Sequence, residues 1–105
     1  MRTYTDPGTE IVTTVDEAFA IELPINPSTG YEWKVQLPPG LVQRSSEVVA
    51  DPEMETAEGM VGVPAVQRFE FASEVTGTAE LRFELFPPGE GTAAEQTQVF
   101  RILTE

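Results

Sequence analysis

The chain contains no cysteine and no histidine. The first absence excludes a disulfide framework, a thiol nucleophile and a thiolate metal site. The second excludes histidine-based triads, imidazole metal ligation and imidazole acid–base catalysis. Positive charge is scarce: 6 basic residues face 18 acidic ones, the net charge is -12, and Lys34 is the sole lysine. Such a surface repels polyanions, so neither nucleic acid nor a membrane is expected as a partner, and basic proteins are favoured in encounter. No apolar run approaches the length of a membrane span, and Met1-Arg2-Thr3-Tyr4 does not lead into a leader-peptide core. A soluble protein is expected: secreted or periplasmic if a leader has been removed, cytoplasmic if the sequence is complete.

Helical periodicity is also lacking, and alternation of period two takes its place. Phe19, Ile21 and Leu23 alternate with Ala20 and Glu22; Tyr31, Trp33, Val35 and Leu37 with Glu32, Lys34 and Gln36. Phe69 and Phe71 flank Glu70, Leu81, Phe83 and Leu85 alternate with Arg82 and Glu84, and Phe100 and Ile102 close the series. Shorter β-rich pieces lie at 10–15 and 47–50. Turn residues punctuate these runs at Asp6-Pro7-Gly8, Asn26-Pro27, Pro38-Pro39-Gly40, Asp51-Pro52, Thr76-Gly77 and Pro87-Pro88-Gly89. The pattern predicts one all-β domain over residues 1–105: an immunoglobulin-like antiparallel sandwich of about seven strands. Trp33, on the third strand, is expected to be buried between the sheets. Phe69, Phe71, Leu81 and Phe83 belong to the core.

The remaining acids do not build a catalytic or metal site. Asp51, Glu53, Glu55 and Glu58 lack the glycine and ligand spacing of an EF-hand loop, so 51–59 reads as a solvated loop with at most one helical turn. No carboxylate pair stands out among the 18 acids. Neither enzymatic activity nor a cofactor is expected. Asn26-Pro27-Ser28 is not a glycosylation acceptor, because proline occupies its middle position.

The most restrained stretch is Asn26-Pro27-Ser28-Thr29-Gly30-Tyr31-Glu32-Trp33. Pro27 fixes one backbone dihedral, Gly30 permits a positive one, and Ser28 and Thr29 can hydrogen-bond locally. A loop built this way keeps its shape without a partner, so binding loses little free energy to ordering it. In a sandwich of this kind alternate connections emerge at one end, which would gather three loops, 26–30, 56–66 and 86–94.

The restrained stretch resembles the Asn-Pro-Thr-Thr-Gly-aromatic loop of the chagasin family of cysteine-peptidase inhibitors, with serine at Ser28 for the first threonine. A second family loop, Gly-x-Gly-Gly before an aromatic strand, is matched in part by Gly62-Val63-Pro64-Ala65 ahead of Phe69. The third family loop opens with Arg-Pro-Trp, where this chain has Phe86-Pro87-Pro88. The resemblance spans about residues 10–103. It implies an immunoglobulin-like fold and a monomer when free. It also implies reversible inhibition of papain-like cysteine peptidases by a wedge of three loops across the active-site cleft. Asn26, Pro27, Ser28, Thr29, Gly30 and Tyr31 would cover the catalytic dyad without presenting a cleavable bond in the productive direction. Gly62, Val63, Pro64 and Ala65 would line one side of the cleft, and Phe86, Pro87 and Pro88 the other.

The departures have physical content. Pro64 removes a backbone donor, and Val63 and Pro64 remove conformational freedom that glycines would allow. Arginine and tryptophan are frequent interface anchors, and losing both from the third loop corresponds to about 2–4 kcal/mol of affinity. Two functional classes therefore stand side by side. One is the inhibitor; the other is a non-inhibitory protein-binding or surface-assembly module that keeps the fold.

Overall fold

A computed structural model describes residues 1–25, 30–50, 65–89, 91 and 93–105. Among these described residues eight strands form: β1 (Arg2–Tyr4), β2 (Ile11–Thr13), β3 (Phe19–Ile25), β4 (Glu32–Gln36), β5 (Leu41–Ala50), β6 (Ala65–Ser73), β7 (Gly77–Phe86) and β8 (Gln96–Thr104). They make two four-stranded sheets, ordered β1-β3-β6-β5 and β2-β8-β7-β4. The architecture is the expected all-β, immunoglobulin-like sandwich.

The extra strand, β1, comes from the amino-terminal segment, whereas β2 falls within the β-rich piece expected at 10–15. β1 runs parallel to β3, with Tyr4 opposite Ile21, and β2 runs parallel to β8, with Ile11 opposite Ile102. The segment changes sheets at Asp6-Pro7-Gly8, where the Gly8 N–H donates to Asp6 Oδ1 at 2.8 Å and the Thr9 N–H to the Asp6 carbonyl at 3.1 Å. A short aspartate side chain that accepts two residues ahead stabilises such a turn. The β-rich piece at 47–50 belongs to the longer β5, whose register shifts between Gln43 and Ser45. That bulge moves later side chains to the other face and hides the pattern in its first half. Residues 51–59, read as an acidic loop, lie outside the described residues.

Inward-facing side chains of both sheets interdigitate. Phe83 packs against Phe69, Phe100 and Phe71 at ring-centroid distances of 5.1, 5.5 and 5.9 Å. Ile11, Ile21, Leu23, Leu81 and Ile102 fill the space around these rings and are fully buried. Tilted and edge-on aromatic pairs of this kind add to the hydrophobic gain of burial. Trp33 is buried, at 2% exposure, but β4 is an edge strand rather than a central one. Among the described residues, one of its flanks therefore has no strand to satisfy the backbone.

Candidate functional site

The sheet registers bring three connections to one end of the sandwich. In the first sheet Ile25, Ala65 and Ala50 lie side by side, at the ends of β3 and β5 and the start of β6. In the second, Glu32 pairs with Phe86 and Leu85 with Gln96, which brings the start of β4, the end of β7 and the start of β8 together. The stems of the connections 26–31, 51–64 and 87–95 thus leave in one direction. The first of these connections passes from one sheet to the other.

The expected site residues fall into three groups. Gly30, Tyr31, Pro87 and Pro88 lie in connections. Phe86 and Ala65 are strand ends: Phe86 is the last residue of β7, and Ala65 is the first of β6 with its side chain buried. Asn26, Pro27, Ser28, Thr29, Gly62, Val63 and Pro64 lie outside the described residues.

Two contacts join the first connection to the third. Gly30 has φ of 77°, and a β-carbon placed there would sit 3.2 Å from Pro88 Cβ. Glycine is required for the dihedral and favoured by the close approach. One residue on, the Tyr31 hydroxyl hydrogen-bonds the Glu95 carboxylate. That bond, desolvation and the negative charge of Glu95 all hold the phenol above its usual value of 10.0, because they favour the neutral hydroxyl. Beside these contacts an open groove of about 500 Å³ is lined by Gly30, Glu32, Lys34, Phe86, Pro87 and Pro88. Lys34 Nζ lies 5.3 Å from the centre of the Phe86 ring, so the ring covers the ammonium stem and its face meets the charge.

The first and second connections are braced across the sheets. The Trp33 indole N–H donates to the Pro24 carbonyl at 2.9 Å, tying the exit of the first connection to its entry. The Trp33 backbone N–H donates to Gln67 Oε1 at 3.1 Å, and Gln67 Nε2 donates to the Trp33 carbonyl at 3.3 Å. Gln67 and Glu95 were not among the expected site residues. Extending the alternation Phe71, Phe69 backward by two places an amide on the inward face at Gln67, which is the signal for it. Glu95 has no comparable signal, since a lone acid near a turn is ordinary. Among the described residues no cluster of acids is arranged to hold a metal ion.

This arrangement matches known proteins. The family profile described as Chagasin family peptidase inhibitor I42 matches residues 12–102. Amoebiasin-2 of Entamoeba histolytica is 29% identical over 76 residues, which cover 71% of this chain and 59% of that protein. The chain therefore spans about three-fifths of the length of that relative. Among solved structures, the cysteine protease inhibitor EhICP2 from Entamoeba histolytica superposes with a TM-score of 0.77 at 20% identity, covering 99% of this chain and 95% of that one. PbICP-C, solved in complex with falcipain-2, superposes with a TM-score of 0.61 at 16% identity, covering 98% and 89%. At these identities the structural likenesses speak for the fold.

Proposed function

From its membership of the chagasin family of peptidase inhibitors, to which this chain belongs, we propose that it reversibly inhibits papain-like cysteine peptidases by laying three loops across the active-site cleft. The observation that carries the reading is the convergence of the three connections at one end, with Gly30 of the first against Pro88 of the third. Convergent stems give the wedge its geometric basis. Their mutual contacts reduce the ordering that binding would otherwise require.

In this reading Asn26 to Tyr31 cover the catalytic dyad, with Pro27 and Gly30 holding the loop and Ser28 and Thr29 nearest the reacting groups. Gly62 to Ala65 flank one side. Ala65 contributes through its backbone, because its side chain is buried. Phe86, Pro87 and Pro88 flank the other side, and the groove they form with Lys34 gives that flank an apolar wall beside a fixed cation. The strong negative charge steers the chain toward basic peptidase surfaces and makes association salt-sensitive.

Titrating the purified chain against papain and cathepsins tests this. The expected result is a progressive loss of activity that reverses on dilution and leaves the chain uncleaved. Unchanged activity at micromolar chain across several such enzymes refutes the inhibitory reading and leaves the non-inhibitory binding module.

A further inference from the structure

We infer that Gln67 is a positioning residue for inhibition: its buried side-chain amide holds the exit strands of the first and second connections in one fixed register. The inference rests on the inhibitory reading and adds a residue outside the loops to it. Gln67 lies in β6, two residues after Ala65, where the second connection rejoins the sheet. Trp33 lies in β4, three residues after Gly30, where the first connection rejoins. The two strands belong to different sheets, and neither pairs with the other.

Trp33 pairs with Leu85 on one flank of β4, and its backbone N–H and carbonyl bond Gln67 on the other. The amide of Gln67 presents an acceptor and a donor to these groups, as a neighbouring strand would. Both bonds are buried, and Gln67 itself is 6% exposed. The core between the sheets is made of apolar side chains, whose attraction is non-directional. A pair of hydrogen bonds between fixed atoms is directional, and buried backbone groups strongly prefer to keep a partner. The brace therefore sets how far apart, and at what angle, the first and second connections leave the sandwich. Through the Trp33 indole and Pro24 it also fixes the entry of the first.

Gln67→Met keeps the length of the side chain and removes both bonds. In the full chain, this change is expected to speed hydrogen exchange of the Trp33 amide by about tenfold or more, with the Phe83 and Phe100 amides little changed. It is expected to weaken peptidase inhibition by about tenfold or more, mainly through slower apparent association, as only a fraction of molecules present the loops in the competent arrangement. Ile11→Val, at the far edge of the second sheet, lowers stability without touching the brace and is expected to leave inhibition unchanged. Gln67→Asn, one methylene shorter, cannot span both backbone groups; it is expected to show the same losses and serves if the methionine variant does not fold. In the unaltered chain the Gln67 side-chain amide protons are expected to exchange slowly.

Wild-type inhibition by a folded Gln67 variant, or a Trp33 amide that stays as protected as in the unaltered chain, overturns the inference. If the unaltered chain fails to inhibit, the proposed function falls by itself. The positioning role then falls with it, while exchange still decides whether the brace exists.

Discussion

Gly30→Ala strikes the junction between the first and third connections. The new methyl group meets two separate obstacles. At φ of 77° its own backbone disfavours a β-carbon, which costs about 1–2 kcal/mol. The methyl also falls 3.2 Å from Pro88 Cβ and 3.4 Å from Pro88 Cγ, so the third connection must shift by a few tenths of an ångström. Overpacking adds about 1 kcal/mol, the low end of its range, because this junction borders an open groove rather than the core. The total, about 2–3 kcal/mol, is a substantial part of the 5–15 kcal/mol that typically holds a domain together. Urea denaturation reads it as a lower midpoint at unchanged slope. A double-mutant cycle separates the two obstacles. In a Pro88→Gly background the steric part vanishes and the dihedral part stays, so alanine at position 30 is expected to be less harmful there by about 1 kcal/mol. Inhibition is expected to weaken about tenfold as the two connections are pushed apart. A loss below about 0.5 kcal/mol, or equal losses in both backgrounds, refutes the proposed junction.

Three further outcomes follow from the same geometry. Phe83→Ala removes the ring at the centre of the aromatic cluster, fully buried among Phe69, Phe71 and Phe100, and is expected to cost about 3–5 kcal/mol in denaturant titration. Tyr31 is expected to ionise above its usual 10.0; the tie to Glu95 is fully present below that value and is lost as pH rises through the raised pKa, and Glu95→Gln should bring the phenol back toward 10.0 in an NMR titration of the ring. Pro88→Trp keeps a β-carbon against Gly30 and adds an aromatic anchor to the third connection, so it is expected to tighten inhibition by about 2 kcal/mol, roughly thirtyfold, in the papain assay.

The core strands could be read from the chain because each has one buried face. Phe19, Ile21 and Leu23 became β3, and Leu81 and Phe83 became the buried row of β7, since alternation is what half-burial demands. β1 could not be read this way. Arg2, Thr3 and Tyr4 carry no alternation, and they are strand only because the backbone of β3 offers them a parallel partner. β5 was legible only near its end, because the bulge at Arg44 breaks the period and its edge position leaves most side chains exposed. Trp33 was legible as core but not as an edge residue: burial can be inferred from residue type, whereas strand order follows from long-range pairing. The convergence of the stems followed from counting connections. The contacts that lock them, Gly30 with Pro88, Tyr31 with Glu95 and Gln67 with Trp33, join residues 34 to 64 positions apart or involve side chains without a local pattern.

If this chain closes a peptidase cleft with its three connections, it must shield the catalytic cysteine. The most direct measurement is the alkylation rate of the catalytic cysteine of papain by iodoacetamide, with and without saturating chain. Stoichiometric chain is expected to suppress alkylation, dilution to restore it, and Gly30→Ala to protect less well than the unaltered sequence. Alkylation at an unchanged rate under saturating chain would contradict closure of the cleft.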